Sequence, residues 1–284
     1  MTKKEIITSV IKRIEAKLQK RENISVDEVA AISGYSKRYI QKISQEIIGM
    51  KISKYIKKRK LTQAAILIKL TKKSIYHIAM DLNYSTQQSF ARSFCKEFKV
   101  SPLKYRLKDD FDCSALLPNY TLNLQPIKIK QGSLNHLRLK VENFNYQDSL
   151  LNDDYKARNN RIRKDKIKKV LSSKNEAIVV SKFEPKSLLD LNVDLNVMIG
   201  YKDEKKYNYE IMKKKYWIIE YHGTWDDYII FGRFFLCYCD IAFDSFILEK
   251  IRLNGENDNG EQIYHSIIYL PMTPSEQAGN SSNQ

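Results

Sequence analysis

Ser25-Val26-Asp27-Glu28-Val29-Ala30-Ala31-Ile32-Ser33-Gly34-Tyr35-Ser36 returns later in the chain as Ser74-Ile75-Tyr76-His77-Ile78-Ala79-Met80-Asp81-Leu82-Asn83-Tyr84-Ser85. Each copy has a polar cap, a short apolar-patterned helix and a residue type that tolerates positive φ, Gly34 in one and Asn83 in the other. The offset is 49 residues up to the turn and 50 beyond it, so Ile40 pairs with Phe90, Lys42 with Arg92 and Tyr55 with Tyr105. The second copy therefore has one extra turn residue. A helix-turn-helix written twice implies DNA as the partner.

Charge supports this partition. Residues 1–110 hold 25 Lys and Arg against 10 Asp and Glu, and the rest hold 24 against 23, so nearly all of the +16 lies in the half that carries the repeat. A polyanion-binding domain joined to a neutral one is expected. The expected boundaries are 1–110 for the double helix-turn-helix domain, 111–132 for a linker containing Pro118 and Pro126, 133–272 for an α+β domain and 273–284 for a disordered tail. No apolar run is long enough to span a bilayer, and MTKKEIITSV lacks a signal peptide's apolar core, so a cytoplasmic protein is expected. Cys95, Cys113, Cys237 and Cys239 lack zinc-site spacing and are expected as buried free thiols.

In the basic half, Ile7, Val10, Ile11, Ile14 and Leu18 predict a first amphipathic helix. Ser25 with Glu28 has the form of a capping box. Ser36 is placed to cap a helix that carries Lys37, Arg38, Tyr39, Gln41 and Lys42 outward over Ile40 and Ile43. Leu61, Ala64, Ala65 and Ile68 mark a longer strut helix, with Lys57-Lys58-Arg59-Lys60 near its start. Ser85 or Thr86 caps a second outward helix with Gln87, Gln88, Ser89 and Arg92, packed through Phe90, Phe94 and Phe98. Gln and Arg suit adenine and guanine edges in the major groove, while Ser and helix N-terminal amides suit phosphates. The plain alternative, a solvated polar face, must hold for both copies at once.

The residues Gly34-Tyr35-Ser36-Lys37, Tyr55-Ile56, Arg59-Lys60-Leu61, Ile78-Ala79, Tyr84, Gln87-Gln88-Ser89-Phe90, Arg92, Phe94, Phe98, Pro102 and Tyr105-Arg106 closely resemble the AraC/XylS transcription regulators. Within that family the pattern is most similar to the MarA, SoxS and Rob branch and to the Caf-type activators of fimbrial and capsular antigen operons. The resemblance implies a monomer with two recognition helices in successive major-groove segments of an asymmetric site. It implies base reading by Arg38, Gln41, Lys42, Gln87, Gln88 and Arg92, and phosphate contacts from Ser36, Lys37, Tyr39, Ser85 and Ser89. Arg38 stands where the branch usually has Trp, Ala91 where Thr is common, and Ser44 where a core aromatic is usual.

In the neutral half the pattern predicts strand 135–145, helix 155–173, strands 177–182 and 194–201, then strand 214–222, helix 224–240 and strands 247–253 and 263–270. Strand, helix, strand, strand thus occurs twice, which predicts an antiparallel sheet with two helices on one face. With Tyr216-Trp217-Ile218-Ile219-Glu220-Tyr221-His222-Gly223 and Ile267-Ile268-Tyr269-Leu270-Pro271, this order resembles the GyrI-like domain. That resemblance implies a groove between the halves for a small, often cationic effector. Here Ile267 stands at the position of the relatives' carboxylate, four residues before the final Pro. Trp217, Tyr221, Trp225 and Tyr228 are candidates to line such a groove, or to pack in core and rim.

Of the four His residues, at 77, 136, 222 and 265, only His222 suggests an acid or base, and no catalytic motif, cofactor loop or metal set occurs. The expected function is a sequence-specific transcriptional activator with promoter DNA and RNA polymerase as partners and no membrane contact. The expected regulon is a fimbrial or surface-antigen operon, or a stress and drug-resistance set. The alternatives are an effector-sensing regulator whose second domain binds a small molecule, and an enzyme or non-specific nucleoid protein.

Overall fold

The computed structural model describes residues 2–121, 127–149, 158–185, 188, 192–244 and 246–273. The chain divides into two compact units, Met1–Leu107 with Ala115–Gln125, and Lys108–Ser114 with Pro126–Gln284. Their make-up matches the expected fold class, helical first and antiparallel α+β second.

The first unit begins with α1 (Lys3–Gln19), α2 (Val26–Ser33) and α3 (Lys37–Ile48). Thr2 and Glu5 form a reciprocal capping box on α1. Ser25 caps α2 by accepting from the Glu28 amide at 3.2 Å. The Glu28 carboxylate pairs with Lys17 rather than closing the expected box, because the Lys17 charge is the stronger partner. Gly34 ends α2 at φ 72° with no atom within 4 Å of where a Cβ would sit, so backbone conformation, not space, selects glycine. Ile7, Val10, Ile11 and Ile14 meet Ile40 and Ile43 in one buried cluster.

The second copy consists of α5 (Ile75–Asp81) and α6 (Gln87–Phe98), followed by α7 (Pro102–Leu107). Asn83 takes φ 59° at the turn, the counterpart of Gly34. Thr86, not Ser85, caps α6, which is the extra turn residue made visible. Phe94 stacks on Phe98 at 4.4 Å and meets Tyr105 edge-on at 5.4 Å. In the first copy Ser44 is buried where the aromatic is expected, and its hydroxyl donates to Gln41 O at 3.1 Å.

Between the copies, α4 (Ile52–Leu70) packs on α3, α5 and α6. Its charge run does not form one cationic face. Arg59 is buried, with a two-pronged pair to Glu15 at 2.8 Å through Nε and Nη2, while Nη1 donates to Leu117 O at 2.5 Å. Tyr55 donates to the same Glu15 at 2.7 Å. Lys58 pairs with Glu97 of α6, and Lys60 is half-buried.

The second unit opens with β1 (Phe111–Asp112), which pairs antiparallel with β8 (Ala242–Phe243). Its main sheet has β2 (Ile129–Leu134), β3 (Leu137–Ser149), β4 (Ala177–Glu184), β5 (Asn192–Lys202), β6 (Tyr209–Ile211), β7 (Lys214–Gly223), β9 (Phe246–Glu256) and β10 (Gln262–Pro271). All neighbours are antiparallel in the order β2-β7-β10-β9-β4-β5-β3-β6. The motif β3, α8 (Arg158–Leu171), β4, β5 is repeated by β7, α9 (Trp225–Phe234), β9, β10, and the two copies join at β4 and β9. Helix α8 packs on β3, β4 and β5, and α9 on β7 and β10. Gly200 is required by close approach, since a Cβ there would lie 1.8 Å from Lys140 O.

Several boundaries differ from the sequence reading. The 111–132 stretch, expected as a linker, contains β1 and the start of β2, and Leu117 is buried in the first unit's core. Its Pro and Gly content hid strands that are short or at a sheet edge. Helix 224–240 is α9 followed by a 3₁₀ turn over Phe235–Tyr238. The expected start of helix 155–173 at 155–157 and the tail at 274–284 lie outside the described residues, while Thr273 is buried.

Candidate DNA interface

The exposed side of α3 is set by what its other side must bury. Ile40 and Ile43 face the core at 0% exposure, which leaves Lys37, Arg38 and Lys42 exposed. Gln41 is only half-exposed and its Oε1 is buried without a hydrogen-bond partner, so it lies on the flank of this face. Ser36 accepts from the Tyr39 amide at 3.2 Å, and Lys37 pairs with Asp27 across the turn. Both partners of that pair are exposed, so it holds Lys37 only weakly. Tyr39 is half-buried beside Tyr35, ring centroids 5.3 Å apart.

Helix α6 repeats the design. Phe90, Phe94 and Phe98 are buried, and Gln87, Gln88, Arg92 and Lys96 are exposed. Gln88, Arg92 and Lys96 are spaced four apart on one stripe. Lys96 extends the stripe and was not singled out from the sequence, although the spacing alone would have found it. Ser85 is exposed, whereas Ser89 is half-buried and donates its hydroxyl to Thr86 O at 2.9 Å. The Ser89 hydroxyl proton is therefore already committed within the first turn of α6.

The two copies are tied to each other within the unit. Arg21 and Lys73 both reach Asp81, at 3.4 and 2.5 Å, and Asn83 Nδ2 donates to Arg21 O at 2.9 Å. Helix α4 spans about 28 Å at 1.5 Å per residue over its 19 residues.

The residues singled out elsewhere are placed differently. Tyr221, Trp225 and Tyr228 are buried, and Trp217 is half-buried with Nε1 donating to Ala242 O at 3.2 Å. Of these four only Tyr228 lines the cavity between α8 and α9. His77 accepts or donates at Ser74 Oγ, 2.8 Å away, and His222 stacks on His265 at 4.1 Å. Cys113, Cys237 and Cys239 are buried free thiols, while Cys95 is half-exposed. Among the described residues no group of three or more His, Cys, Asp or Glu is placed to hold a metal ion, and no helix is long and apolar enough to cross a membrane.

A helix-turn-helix domain model matches residues 11–108. The regulatory protein SoxS of Salmonella typhimurium is 39% identical over 106 residues, which cover 37% of this chain and 97% of SoxS. The F1 operon positive regulatory protein of Yersinia pestis is 29% identical over an alignment of 297 positions, covering 95% of this chain and 96% of that protein. YkgA of Escherichia coli K12 is 38% identical over 125 residues, covering 44% of this chain and 52% of YkgA, so that match spans about half of the relative. With two such copies and near-complete coverage of SoxS, the chain belongs to the AraC family of DNA-binding transcriptional regulators.

Proposed function

We propose that the chain is a sequence-specific transcriptional activator that binds an asymmetric promoter site as a monomer, with α3 and α6 in successive major-groove segments. The observation that carries this reading is the double set of exposed readers, Arg38 and Lys42 on α3 and Gln87, Gln88 and Arg92 on α6, each behind a capped helix N-terminus. Gln41 reads from the flank. Ser36, Lys37, Tyr39, Ser85 and Ser89 serve the phosphates. Activation is supported by the match over almost the whole chain to a protein named a positive operon regulator. RNA polymerase is the partner that activation requires. By resemblance to the Caf-type activators, a fimbrial or surface-antigen operon is the expected target.

Genomic footprinting followed by gel shifts tests the reading. Arg92→Ala and Gln88→Ala are expected to weaken binding by about 1–3 kcal/mol for each lost bidentate contact and to relax base preference in one half-site only. Lys37→Ala should weaken all sequences alike. Equal loss on cognate and random DNA for Arg92→Ala would remove its base-reading role.

A further inference from the structure

The first unit contains a cavity of about 170 Å³ between α1 and α2. Its walls are apolar at Ile6 and Val10 of α1, at Ile24, and at Val29 and Ile32 of α2. Ile6, Val10, Ile24 and Val29 belong to the buried cluster that also holds Ile40 and Ile43, so the cavity borders the core on which α3 rests. Ile32 and Tyr35 line it and are exposed, which leaves its mouth open. Tyr35 also meets Tyr39 of α3 at 5.3 Å between ring centroids.

Arg13 is the cation of the lining, one turn beyond Val10 on α1. Its Nη1 donates to Ile32 O at 2.7 Å. That carbonyl is among the last four of α2, which the helix itself leaves unpaired, so Arg13 ties the end of α2 to α1 just before the Gly34 turn. Nε and Nη2 have no protein partner among the described residues. This is the edge with which Arg59 grips both oxygens of Glu15.

Size, hydrogen bonding and charge together define an occupant. The volume slightly exceeds the roughly 150 Å³ apolar void that holds benzene, so one compact ring fits. The Nε and Nη2 fork suits a carboxylate, whose two oxygens accept side by side. Residues 1–110 hold 25 Lys and Arg against 10 Asp and Glu, and no Asp or Glu of the described residues lines the cavity, so the field favours an anion and repels a cation. An exposed arginine alone holds a carboxylate weakly, and burial of the apolar body supplies the rest.

We propose that this cavity is an effector site for a small carboxylate with a compact apolar body of about six carbons. The carboxylate pairs with Arg13 and the body packs against Val10 and Val29. Occupancy fixes α2 and the Gly34 turn, and so tightens the grip of α3 on DNA. The binding stands on the first unit alone, and the coupling rests on the DNA reading.

Calorimetric titration of the full chain with cyclohexanecarboxylate, cyclohexanecarboxamide and cyclohexylmethylammonium, at equal ionic strength, tests the site. The carboxylate is expected to bind best, the amide at least threefold more weakly and the cation at least tenfold more weakly. Arg13→Met should reduce the carboxylate to the level of the amide and leave the amide unchanged. Ser9→Phe, at the rim of the cavity, should weaken both at least tenfold while leaving Arg13 in place. Equal binding of the three probes, carboxylate affinity unchanged in either variant, or no binding of the carboxylate would overturn the site. Gel shifts on the footprinted DNA then test the coupling. Saturating carboxylate should raise the affinity of the wild type at least threefold and leave Ser9→Phe unmoved. Carboxylate binding with no change in DNA affinity would overturn the coupling. Absence of specific DNA binding with or without the probe would sink the DNA reading and the coupling with it, while the titrations still decide the site.

Discussion

Arg59 shows how one residue changes meaning between sequence and structure. In the sequence it is the third of four basic residues, and a charge run is ordinarily a solvated face. In the fold it is withdrawn to bind Glu15 and Leu117 O in the core. Arg59→Ala leaves Glu15 buried without its cation and is expected to cost about 3–5 kcal/mol of stability by chemical denaturation. A cost below 1 kcal/mol would mean that water reaches Glu15. His265 gives a second expectation. Burial first, and then the facing His222, hold its pKa below the ordinary 6.5, with Glu220 opposing and Arg252 assisting. The folded state thus binds the proton less readily than the unfolded chain, so stability should be unaffected above about pH 6.5 and fall as pH drops below it. Melting the wild type and His265→Gln from pH 7.5 to 5 should show a shallower decline in the variant, and parallel curves would exclude this source. Positions such as Gly34 and Asn83 were legible because positive φ selects residue type locally. Arg59 was not, because its partner lies 44 residues away on α1.

At the scale of elements, period and caps decided what was legible. Helices α1 to α6 follow apolar periodicity, all but α4 begin at a Ser or Thr cap, and the central strands β4, β5, β7, β9 and β10 are long enough to show their pattern. What escaped were β1, β6 and β8, of two or three residues, and the edge strand β2, where Gly132 interrupts the run. The unseen order after Leu107 has a consequence for truncation. Leu117 N donates to Thr62 Oγ1 at 2.9 Å, Leu117 O accepts from Arg59, and the Tyr120 ring lies 5.8 Å from Tyr55. A fragment ending at Asp110 lacks these partners and leaves a buried guanidinium N–H unpaired, at about 1–3 kcal/mol. A fragment ending at Thr121 keeps them, although in both the β1 residues lose their pairing with β8. The longer fragment is therefore expected to melt higher while binding the same DNA, and identical melting temperatures would show that the return segment contributes nothing.

For the whole molecule, the contrast between a +15 first portion and a +1 remainder, together with the difference between its two reading helices, shapes how it should meet DNA. Each phosphate neutralised contributes a slope of about −0.9 to the log–log dependence of affinity on salt. Lys37→Ala should thus flatten the slope by about one phosphate on every sequence. Arg92→Ala should lower cognate affinity with less change in slope. The asymmetry is sharper still. Arg38 and Lys42 on α3 carry two cations, whereas α6 sets Gln87 and Gln88 beside Arg92, so on the proposed reading the half-sites are expected to differ in base preference and one chain is expected to fill both. Exchanging the order of the half-sites, with their spacing kept, should therefore abolish specific binding, whereas a palindrome built from either half should bind no better than a single half-site per chain. Mass photometry of the complex on the native site should report one chain per duplex. Two chains on an inverted repeat, or tolerance of the exchanged order, would mean that the helices are not held in fixed register by α4, and the monomer reading would fall with it.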